Sequence, residues 1–395
     1  MLEFKVTIYM MFFVLFCNCS KQNQSGLLEN NILYTINLEE CLAVEQIMKI
    51  SEIADTVEYI ALETPEDITI TRVWDIIPVD SFWIIHSRDG VYKFTDQGKY
   101  IKNIGRQGQG PGEYSLIYDI AVDPIKKEIL LNTSGILLFY DLEGTFLRMM
   151  RKDGTLFRAS IVDSVLWISE TAMNTDKYLA YSMDYQGKVL TSIPNPCYAI
   201  ESQDEGTGLH LSKMYKPFYN RKDTIYLKGK EVNDTIYQLS GSISKPYVAF
   251  NMGKYKLPVE YESWYSFEAS QKNGSRYWGI PSVAEDERYL FLLAQRYAPV
   301  DGDRYVHNED NFRYIIYDKS RKLGFRVNGK LQDDVLGGPS IWPYWITDNY
   351  YMSVIECYDL LDEIKKSKYF LSSDFKKQIS SWGYDTNPLV IVCRK

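Results

Sequence analysis

Residues Ile101–Tyr114 read IKNIGRQGQGPGEY, and four glycines and a proline crowd into Gly105–Gly112. An apolar, alternating run, Val91–Ile104, leads in and turns once at Asp96-Gln97-Gly98; a second alternating run, Leu116–Val122, leads out. Glycine permits positive φ and proline fixes φ, so the segment is a shaped loop between two strands.

The same strand–turn–strand–loop plan recurs down the chain. Val73–Ile77, Phe82–His86, Val91–Thr95 and Tyr100–Ile104 make a first set of four expected strands. Ile117–Val122, Glu128–Asn132, Ile136–Tyr140 and Phe146–Met150 make a second; Phe157–Val162, Val165–Ser169, Tyr178–Met183 and Val189–Ile193 make a third. Their turns, Thr95-Asp96-Gln97-Gly98, Asp141-Leu142-Glu143-Gly144 and Asp184-Tyr185-Gln186-Gly187, all end in glycine, as hairpin chemistry favours. Those glycines lie 46 and then 43 residues apart, near the four-strand period of propeller blades.

Later units drift from the plan. A fourth spans Tyr215–Leu239 with Gly241 at its turn, a fifth runs over Arg276–Val327 with a polar insert at Pro299–Asn311, and a sixth begins near Leu331 and includes Tyr350–Ile355. Helical periodicity is confined to Glu260–Ala269 and Leu360–Lys368. Asn31–Leu38 reads as a strand before the repeats, and Leu42–Ile53 as a helical or irregular lead-in. One strand is left over at each end, Val57–Leu62 and Leu389–Cys393; pairing them in the last blade would close a ring and remove exposed edges. The expected fold is all-β: a six-bladed β-propeller whose N- and C-terminal strands close the last blade.

Composition agrees. Of 395 residues, 45% are hydrophobic and 32 are tyrosine, a strand-forming bias with ample apolar content for a core. The net charge is −8 with no strong basic cluster, which argues against nucleic-acid binding. The three histidines, His86, His210 and His307, stand far apart, so a histidine-rich metal site is not expected.

At the N-terminus Lys5 precedes an apolar run, Val6–Phe16, too short to span a bilayer comfortably but suited to a signal-peptide core. Cys17-Asn18-Cys19-Ser20 and a polar segment, Lys21–Gly26, follow. That order resembles a bacterial lipoprotein signal, in which a cysteine is acylated and becomes the new N-terminus. Cys19 is the expected lipidation site, because Cys17 would put bulky Phe16 beside the cleavage point. The expected organisation is a signal peptide over 1–19, a polar tether over 20–30 and the propeller over 31–395. With no acidic cluster after Cys19, the expected location is the cell envelope, lipid-anchored in the outer membrane and facing the periplasm. A plain secretory signal is the alternative. The mature chain keeps Cys41, Cys197, Cys357 and Cys393; export permits disulfides, but there is no CxxC and the spacings are irregular.

GRQGQGPGEY after a hairpin, NDTIYQL at Asn233–Leu239, the lead-in SEIADTVEYIALET and the ending NPLVIVCRK together resemble one family. It is the six-bladed β-propeller lipoproteins, similar to the NHL-repeat propellers. The resemblance covers nearly all of the mature chain and implies a propeller fold and an exported lipoprotein; it carries over no catalytic residues.

Chemical motifs are sparse. The glycine-rich loop lacks the lysine and following helix of a phosphate-binding loop, and Pro111 removes a backbone donor. Asp301, Asp303, Asn308, Glu309, Asp310 and Asn311 cluster, but at no EF-hand spacing. There is no GxSxG, and no cysteine has a histidine at a known catalytic spacing. Trp264, Tyr265, Trp278, Trp342, Tyr344 and Trp345 could stack on sugars, though such residues more often pack between propeller sheets. No catalytic residue, metal ligand or cofactor is assigned. The expected role is a lipid-anchored binding or scaffolding module, with the membrane and a protein or glycan as partners. The alternative is a propeller hydrolase or lyase with a metal in the central channel. Propeller geometry puts the inter-blade loops on one face, so Arg106, Glu113 and Tyr114 are the expected ligand contacts, near the channel mouth.

Overall fold

The computed structural model describes residues 32–66, 68–133, 135–152, 157–170, 177–195, 216–229, 233–258, 276–296, 300–301, 304–305, 309–366, 369 and 371–395. Cys19 and the rest of the N-terminal segment lie outside these residues, as do Cys197, His210, His307, Trp264, Tyr265 and the expected helix at Glu260–Ala269.

Among the described residues six blade sheets follow one another along the chain, each built outward from its first strand, and a two-stranded hairpin pairs Val300–Asp301 with Arg304–Tyr305. Blade 1 comprises Val73–Val79, Phe82–Ser87, Gly90–Thr95 and Tyr100–Asn103. Blade 2 comprises Asp119–Asp123, Glu128–Asn132, Ile136–Asp141 and Phe146–Arg151; blade 3 comprises Phe157–Val162, Val165–Glu170, Tyr178–Met183 and Val189–Pro194. Blade 4 holds Phe218–Arg221, Thr224–Leu227, Thr235–Ser240 and Ile243–Asn251; blade 5 holds Trp278–Glu285, Tyr289–Arg296, Phe312–Asp318 and Leu323–Val327. Blade 6 takes its two inner strands, Trp345–Ile346 and Tyr350–Ile355, from late in the chain, its third from Leu389–Arg394 and its outermost from Thr56–Ala61.

The ring closes as the leftover strands demanded. Val57 pairs with Cys393 and Ile60 with Val390, antiparallel. Arg394 grips Glu58 through both carboxylate oxygens at 2.9 and 3.2 Å. Asn387 then ties the chain to blade 1: its Oδ1 accepts from Ile70 N at 2.9 Å and its Nδ2 donates to the Glu63 carbonyl at 2.9 Å.

Buried apolar side chains fall into six clusters, one at each junction between consecutive blades. The second strands show why. In blade 1, Trp83 and Ile85 face blade 6 while Ile84 faces blade 2. In blade 2, Ile129 and Leu131 face blade 1 while Leu130 faces blade 3. Successive side chains leave a strand on opposite sides, so a strand covered on both faces reads as an unbroken apolar run. The tight turns use the expected chemistry: Gly144 sits at φ +77° and donates to the Asp141 carbonyl at 3.0 Å, while Asp141 Oδ1 accepts from Glu143 N and Thr145 N.

Three features depart from the sequence reading. Tyr34–Asn37 is a shorter strand than expected and adds, parallel, to the outer edge of blade 4; Glu45–Gln46 does the same for blade 5. The lead-in helix, α1 (Leu38–Ala43), starts earlier than the expected Leu42 because Asn37 caps it, accepting from Glu39 N and Glu40 N. Blade 6 carries two helices between its second and third strands, α2 (Cys357–Lys366) and α3 (Ser373–Ile379), where one was expected. Leu360 and Phe375 bury these helices against the blade 5–blade 6 cluster. Cys41, Cys357 and Cys393 are free, buried thiols.

Candidate functional site in the central channel

First strands from all six blades line a central cavity of about 390 Å³. Its charged groups come from the N-terminal ends of those strands: Arg72 just ahead of blade 1 and exposed at the rim, Asp75 in blade 1, Asp119 in blade 2, Arg158 in blade 3 and Lys216 just ahead of blade 4. Trp345 opens the first strand of blade 6, whereas blade 5 offers an apolar wall, Val283 and Ala284. A first strand begins where the chain returns inward from the preceding blade. The charged end of the cavity therefore lies on the face of the inter-blade loops.

Two ion pairs organise this end. Lys216 Nζ lies 2.6 Å from Asp75 Oδ1 and 4.1 Å from the centre of the Trp345 ring, while Trp345 Nε1 donates to the same Asp75 oxygen at 2.5 Å. In a ring of six, blades 1 and 4 stand opposite each other, so the Lys216–Asp75 pair is a bar across the channel. Beside it, Arg158 Nη1 lies 3.9 Å from Asp119 Oδ1 and donates to the Tyr118 carbonyl, and Asp119 Oδ2 accepts from Ala159 N at 3.0 Å.

Burial sets the protonation of this cluster. It pushes the Asp119 carboxyl up to about 6, against the pull of Arg158, and it lowers the Lys216 ammonium, against the pull of Asp75. His86, in the second strand of blade 1 and paired in register with Asp75, is 2% exposed and lines the cavity. Burial depresses it to about 4, so the ring is neutral near pH 7. It stands edge-to-face with Trp74 at 5.0 Å. Its Nε2 has no hydrogen-bond partner among the described residues, while the ring hydrogen-bonds the Ile117 backbone in the sense that favours protonation.

The glycine-rich loop is organised on itself. Arg106 Nε donates to Glu113 Oε1 at 2.6 Å, Gly110 N donates to Glu113 Oε2 at 2.8 Å, and Tyr140 donates to the Gly112 carbonyl at 2.6 Å. The Gly110 amide and then Arg106 hold the Glu113 carboxyl below its ordinary range. Gly112 sits at φ +73°, and a Cβ there would come within 2.6 Å of the Phe146 ring. Tyr114 is buried between blades 1 and 2, Arg106 is exposed, and none of Arg106, Glu113 and Tyr114 is among the cavity-lining residues.

Of the aromatic series, Trp278 and Trp342 are buried, Trp342 packing on Phe291 and Tyr314, while Tyr344 and Trp345 reach the cavity. The acidic insert lies partly outside the described residues, and among those described no group of three or more His, Cys, Asp or Glu is placed to hold a metal. Sequence reasoning missed Asp75, Asp119, Arg158 and Lys216. One signal was available: Asp75 and Asp119 are 44 residues apart, close to the 46 that separate the first two turn glycines, so they occupy matching places on adjacent blades.

Residues 33–394 match the model of a family described as a domain of unknown function, DUF4934. Among solved structures, the chain is similar to an exported protein of Bacteroides fragilis, at 17% identity and a TM-score of 0.70, covering 92% of this chain and 99% of that one. It also matches BamB of Moraxella catarrhalis at 15% identity and a TM-score of 0.36, covering 69% of this chain and 66% of the other. The first likeness supports the propeller architecture over its full length. No curated protein matches the chain.

Proposed function

We propose that this chain, which belongs to the DUF4934 family, is an exported, lipid-anchored binding module of the bacterial cell envelope that seats its ligand in the channel mouth. The observation that carries the reading is the convergence of Asp75, Asp119, Arg158, Lys216 and Trp345 from five blades on one cavity, beside the unsatisfied His86. A cavity of about 390 Å³ is of small-molecule size, and buried groups with displaced pKa values gather at functional sites. Export is supported by the apolar run before Cys19 and by the likeness to an exported protein of Bacteroides fragilis. No helix among the described residues is long and apolar enough to cross a membrane. The proposed anchor, Cys19 acylation, rests on the apolar run Val6–Phe16 ahead of it. Arg106, the exposed member of its loop, is proposed as a contact on the same face, with Glu113 and Tyr114 holding the loop in shape.

A binding role fits the donor set better than a metal-dependent hydrolase or lyase. Asp75 and Asp119 each face a cation of the chain itself, which leaves a metal no free carboxylate pair.

Anchoring is tested by fatty-acid labelling: Cys19→Ala abolishes incorporation and releases the protein from membranes, whereas continued incorporation with Cys17 intact contradicts the choice of cysteine. Channel binding is tested by thermal shift against envelope metabolites. Shifts that vanish in Lys216→Met support it; shifts that persist in the folded variant place the ligand elsewhere.

A further inference from the structure

We propose that the channel mouth takes an uncharged saccharide, a short oligosaccharide or the end of a glycan chain, held by Lys216 and Asp75 and packed against the exposed parts of Trp345 and Tyr344. The inference rests on the channel reading above and adds the ligand's chemical class.

The buried charges of the mouth are balanced. Inside the mouth Lys216 is answered by Asp75 at 2.6 Å, and Arg158 by Asp119 at 3.9 Å; the further cation, Arg72, stands exposed at the rim, where water screens it. An anionic ligand entering here would meet two carboxylates, and a cationic one would meet the Lys216 ammonium and the Arg158 guanidinium. Either would have to break an existing pair in a site where water screens little. A neutral ligand leaves both pairs intact.

The mouth also keeps free hydrogen-bonding capacity. An ammonium has three N–H donors, and Asp75 takes one from Lys216. Asp75 Oδ1 is already crowded by Lys216, Trp345 Nε1 and the Ile76 amide, while its Oδ2 accepts nothing from the described residues. The mouth thus offers donors and acceptors side by side on uncharged terms, and a hydroxyl serves both. Vicinal hydroxyls on a ring with apolar C–H faces match this arrangement and the neighbouring aromatic rings.

Because the Lys216–Asp75 bar joins opposite blades, a polymer cannot thread the channel at that depth without breaking it. The mouth is a pocket entered from one face, which selects short chains or chain ends.

The test uses the whole mature chain and needs no variant for its first arm. Lysine acylation is followed residue by residue in the presence of neutral trisaccharides (cellotriose, maltotriose, xylotriose, chitotriose), an acidic trisaccharide (trigalacturonate) and a neutral tripeptide, all at millimolar concentration. The expected result is slower acylation of Lys216 with at least one neutral trisaccharide and no protection by the acidic one. In calorimetry Lys216→Met then weakens that saccharide by about tenfold or more. Protection by trigalacturonate or the tripeptide alone overturns the saccharide inference and leaves the channel reading standing. Lack of protection by every probe overturns the inference, and a probe that binds tightly without protecting Lys216 overturns the channel reading as well. Comparing each trisaccharide with its parent polymer, intact and partly hydrolysed, separates free oligosaccharide from chain-end recognition: only the latter rises with the number of ends.

Discussion

Burial acts in opposite directions on two residues that face the channel from blade 1 and blade 2. Asp119 ordinarily titrates near 3.8 and is raised to about 6, so the stability of its neutral form is full below 3.8 and is lost as pH rises through 6. His86 ordinarily titrates near 6.5 and is lowered to about 4, so its contribution is full above 6.5 and is lost as pH falls through 4. Each shift of a little over two units corresponds to roughly 3 kcal/mol. Asp75, Arg158 and Lys216 face both groups, and the two contributions largely cancel over this window. Asp119→Asn removes one of them. The variant is expected to melt above the wild type well on the alkaline side of the Asp119 midpoint and to lose that advantage by about pH 4, where the His86 contribution has gone in both. Melting curves across the range check this; an offset independent of pH contradicts the assignment. None of this was legible in the sequence, because Asp75 and its cation Lys216 are 141 residues apart and become neighbours only when the ring closes.

At the scale of elements, the junction between blades 4 and 5 carries an unusual load. Glu285, fully buried, accepts from Tyr219, Arg221, Tyr247 and Lys319 at 2.6–3.0 Å. Removing the acceptor strands buried donors, two of them cationic, so Glu285→Ala is expected to cost roughly 3–5 kcal/mol in chemical denaturation. A loss under about 1 kcal/mol, typical of an exposed pair, would contradict that role. The strands themselves were legible. Second strands such as Phe82–Ser87 and Glu128–Asn132 are apolar on both sides, and the Asp-x-x-Gly turns mark the period. Tyr34–Asn37 and Glu45–Gln46 were not fully legible as sheet members: four and two residues are too few to carry an alternation, and their parallel partners lie far along the chain. The helices of blade 6 sit in the same category, since α3 spans only 7 residues and its apolar anchor is the single buried Phe375.

Over the whole molecule, the ring depends on strands from its two ends. Deleting Asn387–Lys395 removes the third strand of blade 6, uncovers the edges of Tyr350–Ile355 and Thr56–Ala61, and cuts the Asn387 tie to blade 1. The truncated chain is expected to aggregate and to melt lower; a monomer with an unchanged melting temperature contradicts the closure. This much of the architecture could be read from two leftover apolar strands. The site could not, because residues such as Asp75, Asp119, Arg158 and Lys216 carry no local motif and gain their meaning only from the axis they share.

That shared axis is the central claim, and a double-mutant cycle on Asp75→Asn and Lys216→Met measures it most directly. If the ammonium of blade 4 reaches the carboxylate of blade 1 across the channel, the two changes are coupled by about 1–3 kcal/mol in unfolding free energy. Additive effects, within about 0.3–0.5 kcal/mol, would show that the two residues do not meet and that the channel holds no such cluster.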